Sequence, residues 1–106
     1  MAQRKLIAQD ANATRTLDES TLGWAPSKYA AHTLSLHDAG ANTATVYAYP
    51  VGTTAKKVDI VTLENQDAIT MGRDSGPWEK FEISFSAPGG SANVYIISKA
   101  SSASGD

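Results

Sequence analysis

A strict alternation of apolar and polar residues over residues 78–86 constrains the fold of this chain more than any other feature. Phe81, Ile83 and Phe85 share one side of this segment, and the polar residues between them share the other. Successive side chains of a β-strand point to opposite faces of its sheet. The segment is therefore predicted to be an antiparallel strand with one buried face.

Similar short segments recur along the chain, separated by Gly, Pro, Asn and Asp. They cover residues 4–9, 14–17, 33–37, 43–49, 57–63, 68–72 and 92–98. Seven or eight such strands predict an all-β fold, an antiparallel β-sandwich with either jelly-roll or immunoglobulin-like strand order. No substantial helix is predicted, and residues 18–21 are expected to form a turn or a brief helical cap.

Two connections are predicted to close strand-turn-strand hairpins. Residues 38–42 and residues 87–90 are rich in the turn-forming residue types, and each connection lies between two strand-like segments. The last strand, residues 92–98, is apolar on both faces, so we expect it either at the centre of a sheet or against a partner. Residues 44–47 and 92–95 share the pattern Ala-x-Val-Tyr, which indicates either an internal repeat or a chance similarity.

The length of 106 residues fits a single domain over residues 1–106. Residues 10–27 are the hardest part to assign and are predicted to be either an arm or a strand, and an N-terminal arm would cover residues 1–27. Residues 99–106 are low in complexity and are predicted to be a short C-terminal tail.

Charge and composition argue against several classes of partner. The net charge is −2, and basic residues are adjacent only at Arg4-Lys5 and Lys56-Lys57. Nucleic-acid binding needs a concentrated basic face, so it is not expected. No apolar run approaches a membrane span, and residues 1–7 lack the apolar core of a secretory signal, so neither a membrane location nor secretion is expected. The absence of cysteine excludes disulfides and thiolate chemistry.

The two histidines, His32 and His37, are candidates for chemistry, but the pattern favours structural roles. They are five positions apart, so on one continuous strand their side chains point to opposite faces. His32 shares the inward side of Leu34 and Leu36 and is predicted to be a partly buried, hydrogen-bonded residue. His37 precedes Asp38, and this pair is predicted to stabilise a turn.

Motifs for a nucleophile, a phosphate loop or a dinucleotide site do not occur in the sequence. The oxygen-rich residues 64–67 are predicted to be a solvated turn rather than a calcium loop. The chain is therefore predicted not to be an enzyme, with no catalytic, cofactor-binding or metal-binding residues and no cofactor.

Aromatic residues are the main candidates for contacts with a partner. Tyr47 and Tyr49 alternate with Val46 and are predicted to lie on an outer face. Trp24 and Trp78 each neighbour a proline in a predicted loop, and we expect them to plug the open ends of the sandwich. Together the aromatic residues are interpreted in three ways: as a cap on the core, as a protein interface or as a platform for sugars.

The C-terminal part of the sequence resembles small virion proteins of tailed bacteriophages. In those proteins the pattern Trp-x-x-apolar-x-apolar-x-apolar-Ser leads through a Gly turn to a last strand rich in Val and Ile. Residues 78–86, Gly89-Gly90 and residues 92–98 match this pattern. The resemblance implies a head decoration or cement protein, usually trimeric, that sits on the capsid lattice and braces it against the pressure of the DNA. Small sandwich proteins of phage tails and fibres have a similar composition.

We therefore predict a structural virion protein, a capsid decoration or cement subunit, which is synthesised in the host cytoplasm and located in the virion. Its expected partners are the major capsid protein and itself, as a homotrimer. The alternative is a carbohydrate- or receptor-binding module of a tail or fibre, in which Trp24, Trp78 and the tyrosines would stack on sugars. The interface candidates are Leu6, Ile7, Leu17, Trp24, Tyr47, Tyr49 and Tyr95.

Overall fold

The computed structural model describes residues 2–8, 14–52, 57–72, 77–87 and 92–99. These residues form eight strands: β1 (Ala2–Ala8), β2 (Thr14–Leu17), β3 (Ala31–His37), β4 (Ala44–Pro50), β5 (Val58–Leu63), β6 (Ala68–Met71), β7 (Trp78–Phe85) and β8 (Asn93–Lys99). One helical turn, α1 (Glu19–Leu22), and a 3-10 turn (Pro26–Lys28) lie between β2 and β3. The all-β prediction without a substantial helix is confirmed for the described residues.

The strands form two four-stranded antiparallel sheets. The first sheet has the order β1-β8-β3-β6, and the second has the order β2-β7-β4-β5. The four strands of the first half of the chain pair with those of the second half in reverse order: β1 with β8, β2 with β7, β3 with β6 and β4 with β5. A long hairpin rolled into two sheets has this pairing, which is the jelly-roll strand order. The structure therefore selects the jelly roll from the two orders that the sequence left open.

Both predicted hairpins are wrong, because the strands on either side of each connection lie in different sheets. β3 belongs to the first sheet and β4 to the second, and the same division separates β8 from β7. The connection after β3 crosses from sheet to sheet over one end of the core. Asp38 and Gly40 have φ values of 56° and 58°, and Ala39 is buried between them. Of the second predicted turn, residues 88–90 lie outside the described residues.

The two Ala-x-Val-Tyr segments occupy equivalent positions in this topology. If each of β1 to β4 exchanges its number with the strand four places later, the first sheet takes the strand order of the second and the second takes that of the first. In this relation β4 corresponds to β8. Ala44 and Val46 are buried, as are Ala92 and Val94, and the tyrosine of each segment faces outwards. β8 lies between β1 and β3, so the central position, one of the two that its apolar faces predict, is confirmed.

The core consists of inward side chains that alternate with outward ones on the central strands. On β7, Phe81, Ile83 and Phe85 are buried and the residues between them are not, as the alternation predicts. Each fully buried side chain of this size contributes about 1.5–3 kcal/mol relative to exposure. The fully buried core side chains that join the two sheets are Leu17, Leu34, Leu36, Val46, Leu63, Phe81, Ile83, Val94 and Ile96.

The short helix α1 begins with a side-chain cap. The Asp18 carboxylate accepts hydrogen bonds from the Thr21 backbone N–H (3.0 Å) and from the Ser20 hydroxyl (2.9 Å). Gly23 ends the helix at a φ of 93°, and its N–H donates to the Glu19 carbonyl. The prediction of a brief helical cap at residues 18–21 is thereby confirmed.

Replacement of the cap in Asp18→Ala is expected to lower the free energy of unfolding by about 1 kcal/mol, because the Thr21 N–H loses its acceptor. Urea unfolding at neutral pH measures this loss. Asp18→Asn is the matched control, because an asparagine side chain also caps helices well. Equal losses in the two variants would contradict the cap assignment.

Candidate functional site

The exposed interface candidates lie on the outer faces of both sheets. Leu6 and Tyr95, which are 46% and 44% exposed, are paired across β1 and β8 in the first sheet. Tyr47 and Tyr49 are half-buried on β4 in the second sheet, on the side opposite Val46, as the alternation predicts. The outer faces of a sandwich point in opposite directions, so these residues form two separate surfaces.

The other interface candidates lie in the core, which corrects their expected exposure. Ile7 and Leu17 have inward side chains, because they pair in register with the core residues Val94 and Phe81. Trp24 is 8% exposed and belongs to the same core. Within the predicted arm, residues 2–8 and 14–17 form β1 and β2, the edge strands of the two sheets. An arm that leaves the sandwich in an assembly stays a prediction.

The outer surface of the first sheet, called the first-sheet face below, is low in charge. Its central row runs across all four strands as Leu6, Tyr95, Ser35 and Ala68, which are paired in register. Arg4 and Lys99 are the charged side chains among its residues. The face comprises Ala2, Arg4, Leu6, Ala8, Thr33, Ser35, His37, Ala68, Thr70, Asn93, Tyr95, Ile97 and Lys99, and Ala31 in the row of Lys99 is buried.

Several polar groups of the first-sheet face bond to one another. The Thr33 and Thr70 hydroxyls are 2.9 Å apart, and His37 Nε2 lies 2.9 Å from the Ser35 hydroxyl. The His37 ring also contacts Tyr95 edge to face, with the ring centroids 5.1 Å apart. Polar groups that already have partners lose less when water is removed, so this face can be covered at a low desolvation cost.

The outer surface of the second sheet, called the second-sheet face, carries a charged aromatic cluster. Lys57 Nζ lies 2.7 Å from Glu82 Oε2, and the Tyr49 hydroxyl donates to Glu82 Oε1 at 3.1 Å. The Lys57 ammonium lies 4.2 Å from the centroid of the Tyr47 ring, and Lys80 lies 4.7 Å from that of Tyr49. The two lysines therefore cover part of both aromatic rings.

The electrostatics of this cluster keep Glu82 ionised. Burial tends to raise the pKa of Glu82, but hydrogen bonds from Lys57 and Tyr49 outweigh burial and hold the pKa below its usual range. The same bonds raise the pKa of Tyr49 and of Lys57. The ion pair of Glu82 and Lys57 is therefore fully charged at neutral pH. Sequence reasoning missed Lys57 and Glu82, because they meet across β4 from distant parts of the chain.

The tryptophans are buried plugs, which removes them from any sugar platform. Trp24 and Trp78 are each 8% exposed, and Trp24 packs edge to face against Tyr29. The indole N–H groups of both tryptophans lack a hydrogen-bond partner in the described part of the chain. The prediction of plugs is confirmed, and the carbohydrate-binding alternative is left with the tyrosines alone.

His32 has the inward, hydrogen-bonded position that the sequence predicts, whereas His37 bonds to Ser35 and does not pair with Asp38 in the turn. His32 is 2% exposed, and its Nδ1 lies 2.8 Å from the Ser98 hydroxyl. Its ring packs edge to face on Phe81 at 5.0 Å. Burial lowers the pKa of His32 to about 4, and backbone groups of Pro26 and Tyr29 oppose this shift only in part. A neutral imidazole enclosed in this way has no access to a substrate.

The acidic loops are occupied by internal contacts. Asp38 accepts a hydrogen bond from Asn93 (3.2 Å) and not from His37. In the loop at residues 64–67, Asp67 accepts from the Glu64 backbone N–H and Asn65 accepts from the Ala39 N–H. Within the described ranges, no group of three metal-ligating side chains that could hold an ion occurs.

The comparisons with known proteins concern the fold alone. No known protein family matches the chain, and no curated protein sequence matches it. The prophage-derived protein YomS of SPBc2 has a similar structure, with a TM-score of 0.58 and 9% identity over 92% of this chain and 94% of that one. A Bacillus endospore appendage protein, from disulfide-linked pili, has a TM-score of 0.53 and 14% identity over 96% and 88% of the two chains.

A third similar structure is IMPa from Pseudomonas aeruginosa, in complex with an O-glycopeptide. It has a TM-score of 0.60 and 14% identity over 95% of this chain, which corresponds to 13% of IMPa. At these identities the likeness shows a shared sandwich fold.

In the described residues, none of the helical segments is long and apolar enough to cross a membrane.

Proposed function

We propose that this chain is a structural protein of a tailed-phage particle, a capsid decoration or cement subunit that acts by adhesion and without catalysis. The observation that carries the proposal is the position of the exposed candidates. Leu6 and Tyr95 stand on one outer face of the sandwich, and Tyr47 and Tyr49 stand on the opposite one. A flat body with two contact faces can bridge two neighbours, which is the task of a cement subunit.

Two further observations support the proposal. The resemblance of the C-terminal strands to tailed-phage virion proteins agrees with the prophage origin of YomS, which has the same fold. One of the two histidines, His32, is enclosed in the core with its Nδ1 2.8 Å from the Ser98 hydroxyl. Binding to the major capsid protein and location in the virion belong to this proposal, and the homotrimer stays a prediction from the resemblance.

The test uses phage heads that lack the chain and purified chain added back. We expect saturable binding with a copy number set by the capsid lattice, and bound heads should survive heating that ruptures bare heads. Tyr47→Ala/Tyr49→Ala should weaken binding by about tenfold or more, since aromatic residues dominate interface energies. Val51→Ala, an exposed control outside both faces, should bind normally. Absence of the chain from purified particles would refute the proposal.

A further inference from the structure

We infer that the first-sheet face is the interface of a two-fold dimer, in which two copies stack their first sheets with the strands of one copy reversed relative to the other. This inference goes beyond the proposed function and does not depend on it, because the dimer would form in solution without a particle. It competes with the homotrimer that the resemblance implies. Four features of the face lead to it: its uncharged centre, its charged ends, its size and the protection of the adjacent edge.

The row of the face that contains Tyr95 is free of charge, and in the neighbouring row Arg4 lies only on the edge strand β1. Leu6 and Tyr95 are opposite each other in register, and Ile97 lies in the next row towards the end of β8. Leu6 and Tyr95 are among the most exposed large apolar side chains of the described chain. Interface centres are depleted of charge and enriched in tyrosine, which offers much contact area for few rotatable bonds.

The two ends of the face carry opposite charges. Lys99 lies in the first row with Ala31, and Arg4 lies in the row beside it. At the other end, Asp38 follows the last residue of β3, and its carboxylate accepts a hydrogen bond from Asn93 on β8. The face therefore has a basic end and an acidic end, separated by the uncharged row that contains Tyr95.

This charge distribution selects one of the two symmetric ways to stack the faces. A two-fold axis parallel to the strands would place the basic end of one copy on the basic end of the other. An axis perpendicular to the strands reverses the direction of the second copy and brings β8 over β8. Lys99 then meets Asn93 and Asp38 of the second copy, twice by symmetry. Stacked sheets align within about 30°, so the opposed strands remain in contact along their length.

The size of the face indicates a reversible dimer. Three strands of seven residues and one of four, spaced ~4.8 Å apart with ~3.3 Å per residue, give a flat area of roughly 400 Å² per copy. Two such areas together are about two thirds of the roughly 1,200 Å² at which stable interfaces begin. We therefore expect a weak, reversible dimer with a dissociation constant between about 1 μM and 1 mM rather than a permanent dimer.

The free edge of β1 is a poorer route to self-association. Lys5 shares the inward side of Ile7, and Lys5 occupies the middle of β1. Antiparallel pairing of two β1 edges about their centre would place the two Lys5 side chains together, and charged residues on edge strands are a common protection against such pairing. Of these two surfaces, the first-sheet face is thus the better one for a second copy, and its use leaves both second-sheet faces exposed.

The test measures the mass of the full chain by sedimentation and light scattering from about 1 μM to about 1 mM, a range that spans the expected dissociation constant. We expect a shift from monomer to dimer. Tyr95→Asp should raise the dissociation constant by at least about tenfold, since it buries an unpaired charge. Tyr47→Ala, on the opposite face, should leave it unchanged. Far-UV circular dichroism and urea unfolding of each variant establish that it is folded.

A charge exchange tests the orientation of the two copies. In Lys99→Glu, the new carboxylate would face Asp38 of the second copy. In Asn93→Lys, the new ammonium would face Lys99 of the second copy. Each single variant places like charges together and should weaken the dimer several-fold. The double variant Lys99→Glu/Asn93→Lys pairs the new charges with each other and should recover most of the affinity. A monomer or a trimer at every concentration, a dimer insensitive to Tyr95→Asp, or failure of the double variant to recover would overturn the inference. Binding to phage heads would still test the proposed function independently.

Discussion

Phe81→Ala is expected to lower the free energy of unfolding by about 4 kcal/mol, the largest effect of a single truncation in this sandwich. Phe81 is fully buried on β7, between Leu17 on β2 and Ala48 on β4, and its ring contacts His32 of the opposite sheet. Its removal opens a cavity between two sheets whose backbone hydrogen bonds prevent collapse. Urea or thermal unfolding measures the loss.

Two variants serve as controls for this prediction. Phe81→Leu retains most of the buried volume and should cost only about 1–2 kcal/mol. Val51→Ala removes an exposed apolar group and should change stability by less than about 0.5 kcal/mol. If Phe81→Ala cost no more than Val51→Ala, the position of Phe81 at the centre of the core would be wrong.

Stability is expected to fall by about 3 kcal/mol as the pH decreases from about 7 to below 4, because His32 titrates differently in the folded and unfolded chains. Its pKa is near 6.5 when exposed and about 4 when buried. Between these values the unfolded chain binds a proton that the folded chain does not, so acid favours unfolding. The stabilisation is complete above pH 6.5, and about 2 kcal/mol of it should disappear by pH 5.

The decisive measurement is urea unfolding at closely spaced pH values between 7 and 5. The pKa values of Asp18 and Glu82 are lowered below the ordinary carboxyl range, so their stabilisation is lost only at lower pH. His32→Gln cannot titrate and should show a flat profile in this window, although it is less stable overall. His37→Gln, which retains His32, should keep the slope. A flat profile in the unmodified chain would contradict the enclosed position of His32.

The candidate site was only partly predictable from the sequence. Alternation placed Tyr47 and Tyr49 outside and His32 inside correctly, because it depends on the local geometry of one strand. The same rule applied to Ile7 and Leu17 would have required knowledge of which side of each edge strand faces the core. That information comes from their neighbours Val94 and Phe81, which are distant in the chain.

The all-β class, the strand segments, the buried face of β7 and the cap at Asp18 could be predicted, since each follows from interactions between residues close in the chain. Strand pairing depends instead on contacts between residues that are distant in the chain. The short connection after β3 has the composition of a hairpin turn, yet it crosses to the other sheet. The crossing places Leu34 and Val46 in facing sheets, where both side chains are buried in the core. This arrangement removes more apolar surface from water than a local hairpin could. That crossing creates the two opposed outer faces. It also places the charges at the two ends of the first-sheet face.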